Sequence, residues 1–326
     1  MKITPALARQ WSRLGSRAVF GQAILALAEE EKDLMVLSAD LGKSSGLDRF
    51  ANAYPDQFIN TGIAEQNMVG VAAGLAKEGY IPFATSFAPF IAMRACEQIR
   101  MNLGYMQLNV KAVAIGSGLA MSFLGNSHYG LEDIAVMRSI PNLTVVSPAD
   151  GAEIVKAVYG AARYKGPMYI RLTGSVNNPV VYTEEYDFEI GKAIQLKSGH
   201  DIAIIATGSM VYEALQATLL LEQQGISSSV WNMHTIKPLD VQTLETIYQQ
   251  SKMVITVEEH SIVGGLGSAV AEYHVSAGQS KRLLRLALPD DYGLTADYRY
   301  LLDYYGLTAE GITTEILKEC KNLGIS

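Results

Sequence analysis

Glu65 stands at the head of a small, apolar run, Thr61-Gly62-Ile63-Ala64-Glu65-Gln66-Asn67-Met68 followed by Val-Gly-Val-Ala-Ala-Gly-Leu-Ala. An acid in the first turn of a helix is favoured by the helix dipole whatever the function. The small residues add something else: they let a helix lie close to a neighbouring backbone or a flat ligand. Phe87 and Phe90 sit in Pro82-Phe83-Ala84-Thr85-Ser86-Phe87-Ala88-Pro89-Phe90, where an apolar run gives way to a loop. Core packing is the usual fate of such rings, and a face stacked on an aromatic ligand is the functional alternative. His128 lies in the polar, Gly-rich Gly125-Asn126-Ser127-His128-Tyr129-Gly130. It is a surface histidine or an acid/base group. Arg17 and Arg171 carry planar forks suited to phosphate, or else make ordinary ion pairs. Gly264–Gly267 is a glycine cluster, by itself a weak phosphate-loop signal.

The elements that must carry these residues alternate. Leu34–Ser38, Ile81–Ala84, Val110–Ile115, Leu143–Ser147 and Met168–Leu172 read as buried strands. Helical patterns fall between them at Val19–Lys32, Glu65–Lys77, Ile91–Leu103 and Ile154–Tyr164, the last opened by the capping-box pair Asp150 and Glu153. This rhythm predicts a parallel sheet with helices on both faces. Arg171 then ends a strand, at the carboxyl edge where ligands bind. Thr183–His200 is polar and broken by glycine, and reads as a linker plus a hairpin. A second α/β rhythm follows, with strands at Ile202–Ala206, Ser228–Met233, Met253–Val257 and Leu283–Leu288. Two α/β domains are expected, residues 1–186 and 187–326.

Composition narrows the function class. With 326 residues, 49% hydrophobic, the chain can bury a core in each domain. A formal net charge of -7 and the lack of any Lys/Arg run argue against nucleic acid as a partner. Two distant cysteines, Cys96 and Cys320, form no CxxC or disulfide framework and suit a reducing cytoplasm. The apolar runs are too short to span a bilayer, and the N-terminus lacks a signal-peptide core.

The string TGIAEQNMVGVAAGLA resembles the glutamate segment of transketolases and their relatives, among them deoxyxylulose-phosphate synthase and the beta subunits of 2-oxoacid dehydrogenases. The run from His128 through LEDIAVMRSIPNLTVVSPAD is similar to bacterial transketolase halves, and Ala206–Ser209, Thr235–Asp240 and Glu258–Gly267 look like the transketolase C-terminal domain. The resemblance covers essentially the whole chain. It implies that Glu65 bonds a pyrimidine nitrogen of thiamine diphosphate and favours the imino tautomer that activates the thiazolium carbon. The cofactor then carries the carbanion chemistry. It further implies Phe90 stacked on the pyrimidine with Phe87 close by, Asp40 near the cofactor, and His128 facing the substrate. Arg17, Arg171 and Ser44 would hold a sugar phosphate. The second domain would be structural and support a dimer.

Members of this family bind the diphosphate through a metal, using a GDG segment and a downstream Asn. No GDG occurs in this chain, and no Asp/Asn cluster suggests a Mg²⁺ site. A partner N-terminal subunit is therefore expected to supply the Mg²⁺ (or Ca²⁺) and the diphosphate site, in an assembly of two copies of each chain around a homodimer core. Starting at Met1, the chain reads as a separate subunit. Two positions depart from the common sugar-binding pattern: Leu124 stands for an Asp four residues before the histidine, and Gly116 for a further His. Losing polar partners alters discrimination between sugars, so an unusual ketose phosphate such as apulose 4-phosphate is a candidate. The rival readings are a 2-oxoacid dehydrogenase beta subunit and a non-catalytic scaffold.

Overall fold

Apolar runs with no polar alternation are the mark of strands buried on both faces, and they form two sheets in the computed structural model, which describes residues 1–325. The first sheet contains β1 (Leu34–Ser38), β2 (Phe58–Asn60), β3 (Ile81–Phe87), β4 (Lys111–Ile115), β5 (Thr144–Val146), β6 (Met168–Arg171) and, from the second half of the chain, β10 (Thr235–Lys237). The second contains β7 (Ile194–Lys197), β8 (Ile202–Ala206), β9 (Ser228–Asn232), β11 (Met253–Ser261) and β12 (Arg282–Leu288). Among the described residues the first sheet runs β10-β5-β6-β4-β3-β1-β2 and the second β12-β11-β8-β9-β7. Every pairing is parallel except two. β10 adds antiparallel to β5, and β7 adds antiparallel to β9. The anticipated hairpin between the domains is thus a single strand, β7, that crosses to pair with β9.

Four helices precede the middle of the first sheet: α1 (Pro5–Leu14), α2 (Ser16–Glu30), α3 (Asp48–Ala53) and α4 (Glu65–Lys77). Alternate strand residues send their side chains to opposite faces. Val36, Phe83 and Val113 pack with Val19, Phe20 and Ile24 of α2. Leu37, Ala84, Ala112 and Ala114 pack with Met68, Val69 and Ala72 of α4. The alanines on that second face let α4 settle close to the sheet. Gly151–Arg163 covers the α2 face, capped by Asp150, whose carboxylate accepts the Glu153 amide at 2.9 Å, while Glu153 reaches back to Ala149 N at 2.7 Å.

The domains are not separate cores. The cluster beneath α2 runs on into Ile202, Ile204, Met210 and Ile255 of the second sheet, and β10 joins the first sheet from across the domain boundary. No helix among the described residues is long and apolar enough to cross a membrane.

Candidate functional site

β1 is flanked by β2 on one side and β3 on the other, so the chain reverses direction across the sheet between β1 and β3. A crevice opens at the carboxyl ends of strands at such a switch point. The loops leaving β1, β2, β3 and β4 there carry most of the residues singled out above.

Glu65 is the first residue of α4, and Ala64 before it offers no capping side chain. The carboxylate therefore sits among free first-turn amides, where the dipole favours it. It is 1% exposed and is held from two sides. Ser86 Oγ donates to Oε1 at 3.0 Å, and Arg94 Nη1 donates to Oε2 at 2.7 Å. Arg94 also lies over the Phe90 ring, its guanidinium carbon 4.3 Å from the centroid. Arg94 ends the wide π-helical turn Phe90–Arg94, and such turns concentrate at functional sites.

Phe87 is buried and Phe90 partly buried. Their rings meet edge-on at 6.0 Å, and the His128 ring stands 5.6 Å from Phe87 and 5.3 Å from Phe90. Ser127 Oγ lies 3.3 Å from Leu124 O and 3.0 Å from His128 Nδ1. With the Ser127 hydrogen on Leu124 O, Nδ1 carries the proton and donates to Oγ, and Nε2 is then free to accept one; with it on Nδ1, Nε2 carries the proton.

Asp40 lies just beyond β1, exposed, in the left-handed region at φ 58. Asn60 holds it there: its Oδ1 accepts from Asp40 N and Gly62 N, each at 3.0 Å, and its Nδ2 donates to Asp40 Oδ1 at 3.2 Å. Asn60 thereby ties the loop after β1 to the loop before α4. Its Asx bonding to residues on either side of a turn is the kind of signal that a sequence carries only faintly.

Next to this constellation is a cleft of about 230 Å³ lined by Arg17, Lys43, Ser44, Gly116, Ser175 and Met121, among others, with two cations and no carboxylate in its wall. Arg17 Nη1 donates to Ser44 O at 3.2 Å, and burial lowers the Arg17 pKa from its ordinary value. Lys43 was not singled out in the sequence, because one exposed lysine carries no pattern. Gly116 has φ +64, and a Cβ there would come 2.4 Å from Met121 Sδ. A larger residue at 116 therefore requires both strain and movement of Met121. Leu124, four residues before His128, is half exposed beside exposed Phe123.

Arg171 is the correction. It does end a strand, but it is 1% exposed and fully engaged in the interior. Nε meets both Asp133 oxygens at 2.9 and 3.1 Å, and Nη2 donates to Gly130 O and Glu259 O, each at 2.9 Å. Burial works to lower its pKa, but the charges of Asp133 and then Glu259 outweigh burial and raise it. Such an arginine braces the interior and does not reach the cleft of Arg17 and Lys43, whose wall omits it.

Glu259 shows what the second domain contributes. It is 1% exposed, and it accepts from Leu119 N at 2.5 Å, Ser209 Oγ at 2.5 Å and Tyr298 Oη at 2.7 Å. Burial raises its pKa, against those hydrogen bonds and the Arg171 charge. The carboxylate props the backbone just after Gly118, within the loop that carries Gly116, Leu124 and His128. The second domain, which the resemblance implied to be structural and dimer-supporting, thus touches the site's loop. Neither Glu259 nor Lys43 was legible as a site residue in the sequence.

The family model described as the transketolase pyrimidine-binding domain matches residues 12–177, and that of the transketolase C-terminal domain matches 191–312. A Methanocaldococcus jannaschii protein, provisionally named a transketolase C-terminal section, is 45% identical over 94% of this chain and 96% of its own length. A Phocaeicola vulgatus protein, named as one of the subunits of an apulose-4-phosphate transketolase, is 36% identical over 94% of this chain and 98% of its own. Among solved structures, a split-gene transketolase described as an inactive beta4 tetramer superposes with a TM-score of 0.84 at 42% identity, over 93% of this chain and 97% of that one. The chain belongs to the transketolase family, spanning its pyrimidine-binding and C-terminal domains as the separate chains of split transketolases do.

Proposed function

We propose that this chain is the pyrimidine-binding subunit of a two-chain transketolase that moves a two-carbon ketol unit from a ketose phosphate to an aldose phosphate in the cytoplasm. The observation that carries the reading is Glu65: a buried carboxylate at a helix start, beside the partly exposed Phe90 ring, next to a cationic cleft. This donor set suits the aminopyrimidine of thiamine diphosphate, since it offers an acid for a ring nitrogen and an aromatic face for the ring. Bound there, the cofactor would supply the carbon nucleophile and the electron sink.

The chain's own residues divide the remaining work. Glu65 holds a proton against the pyrimidine nitrogen, with Ser86 fixing its other oxygen. Phe90 orients the ring, and Phe87 backs both Phe90 and His128. Asp40 lies at the rim of the same crevice, on the cofactor side. His128 Nε2 accepts a proton from a substrate hydroxyl. Arg17, Lys43 and the Ser44 loop bind the phosphate, and Lys43 takes the place first expected of Arg171. A partner N-terminal subunit brings the diphosphate site and its Mg²⁺ or Ca²⁺, in a heterotetramer built on a homodimer of this chain. Relatives named for apulose 4-phosphate and for 6-deoxy-6-sulfo-D-fructose, together with Leu124 where the common sugar-binding pattern has an Asp, favour a ketose that is not one of the common pentose phosphates.

The test is reconstitution with a subunit that carries the GDG segment. Glu65→Gln should lower turnover of a ketose phosphate by at least about a hundredfold, about 2.7 kcal/mol in the barrier. Turnover within threefold of the parent refutes the assignment. Turnover of pyruvate in preference to xylulose 5-phosphate would instead favour a 2-oxoacid dehydrogenase subunit.

A further inference from the structure

Two groups in this site are assigned above to a single flat ligand, and one side chain of the protein engages both. Arg94 takes Glu65 Oε2 at 2.7 Å, and its guanidinium carbon stands 4.3 Å over the Phe90 ring. A guanidinium is planar, cationic and rich in N–H donors, and it stacks on aromatic faces. An aminopyrimidine needs the same two things, a carboxylate in its plane and a ring beneath it. The two cannot share the place, since one plane on Phe90 already fills the stacking distance.

We infer that Arg94 is a placeholder for the pyrimidine: in the free subunit its guanidinium occupies the ring's position between Glu65 and Phe90, and it must swing outward before the aminopyrimidine can bind. The inference rests on the reading of Glu65 and Phe90 proposed above.

The physical reason for a placeholder lies in the burial of Glu65. At 1% exposure, an unpaired carboxylate would be costly. Arg94 supplies the balancing charge, and its own side chain is 45% exposed, so a route to solvent is open. Arg94 lies on the π-helical turn that follows β3 and is not part of the strand itself. The consequence is selective weakness. A pyrimidine must displace an ion pair and a stacked cation before it gains its own contacts, and that reduces its apparent affinity for the chain alone. Affinity is restored when the rest of the cofactor is anchored elsewhere.

The test uses the isolated chain and 4-amino-5-hydroxymethyl-2-methylpyrimidine, with binding read by calorimetry or saturation-transfer NMR. Arg94→Ala should bind this probe about tenfold more tightly than the parent. Arg94→Lys keeps a charge for Glu65 but offers no plane over Phe90, and should fall between them. Equal or weaker binding by R94A, or binding too weak to saturate in both proteins, overturns the inference. Should R94A fail to fold, R94K decides, and no gain in R94K overturns it. Adding Glu65→Gln to R94A separates the two ideas. Loss of the gain supports both, whereas a gain that survives keeps the placeholder and removes Glu65 from its proposed role.

Discussion

Replacing Arg171 by Met distinguishes a structural arginine from a phosphate ligand, because the two roles predict opposite observables. The side chain is 1% exposed and bonded to Asp133, Gly130 O and Glu259 O. Removing it leaves the Asp133 carboxylate, itself 1% exposed, with Tyr169 Oη at 2.8 Å as its remaining close donor, and it strips two buried carbonyls of a donor. Breaking a buried ion pair from one side costs about 3–5 kcal/mol. At about 2.1 cal/mol/K per residue, a two-state chain of 326 residues would lose roughly 4–7 °C in Tm. Urea and thermal unfolding of the chain without substrate measure this. Changing Asp133 to Asn in the same chain removes the orphaned charge and should recover about 1–2 kcal/mol of the loss. The structural account is falsified if Arg171→Met unfolds like the parent while its KM for a phosphorylated donor rises tenfold or more.

Gly118 has φ +66, and a Cβ there would stand 2.3 Å from Glu259 Oε1. Gly118→Ala should cost about 1–3 kcal/mol from backbone strain, and it should also reduce kcat in the reconstituted enzyme, because the same loop holds His128. A stability loss with kcat unchanged would show that the loop's position does not reach the chemistry. His260 is fully buried and pushed down to about 4, first by burial and against the charge of Asp133. Its Nδ1 lies 2.8 Å from Ser261 O and its Nε2 accepts from Ala135 N at 3.4 Å, so the ring is neutral and its 3.8 Å approach to Asp133 is not an ion pair. A folded-state pKa below the unfolded value means stability that is full above about pH 6.5 and is lost as pH falls towards 4. From pH 7 to pH 5 the parent should lose about 2 kcal/mol more than His260→Gln. Parallel urea midpoints for the two proteins across that range would remove His260 from the acid response. Lys43→Ala should raise KM for a ketose phosphate several-fold while leaving kcat near the parent value, and an unphosphorylated ketose should show no such change. If both donors respond equally, Lys43 is not a phosphate contact.

How much could be read beforehand follows from the range of the interactions concerned. Strand and helix positions rest on local periodicity, so the α/β alternation, α4 from Glu65 to Lys77 and the Asp150 cap were legible along the chain. The grouping of Glu65, Phe87, Phe90 and His128 rested instead on the resemblance of their segments to the transketolase family, since periodicity alone brings none of them together. Arg171 was misread for the complementary reason. The end of a strand is visible in the sequence, but the Asp133 that claims the side chain is 38 residues away, and nothing local announces the pair. Glu259 reaches Leu119 across 140 residues, and β10 leaves its own half of the chain to join the other sheet. Arg94 lies close to Phe90 in sequence, yet its contact with Glu65 depends on how α4 lies against β3. Local free energies of burial and capping settle which elements form. Which buried charge meets which partner is decided only once those elements pack, because desolvation must be offset by whatever group the packing brings near.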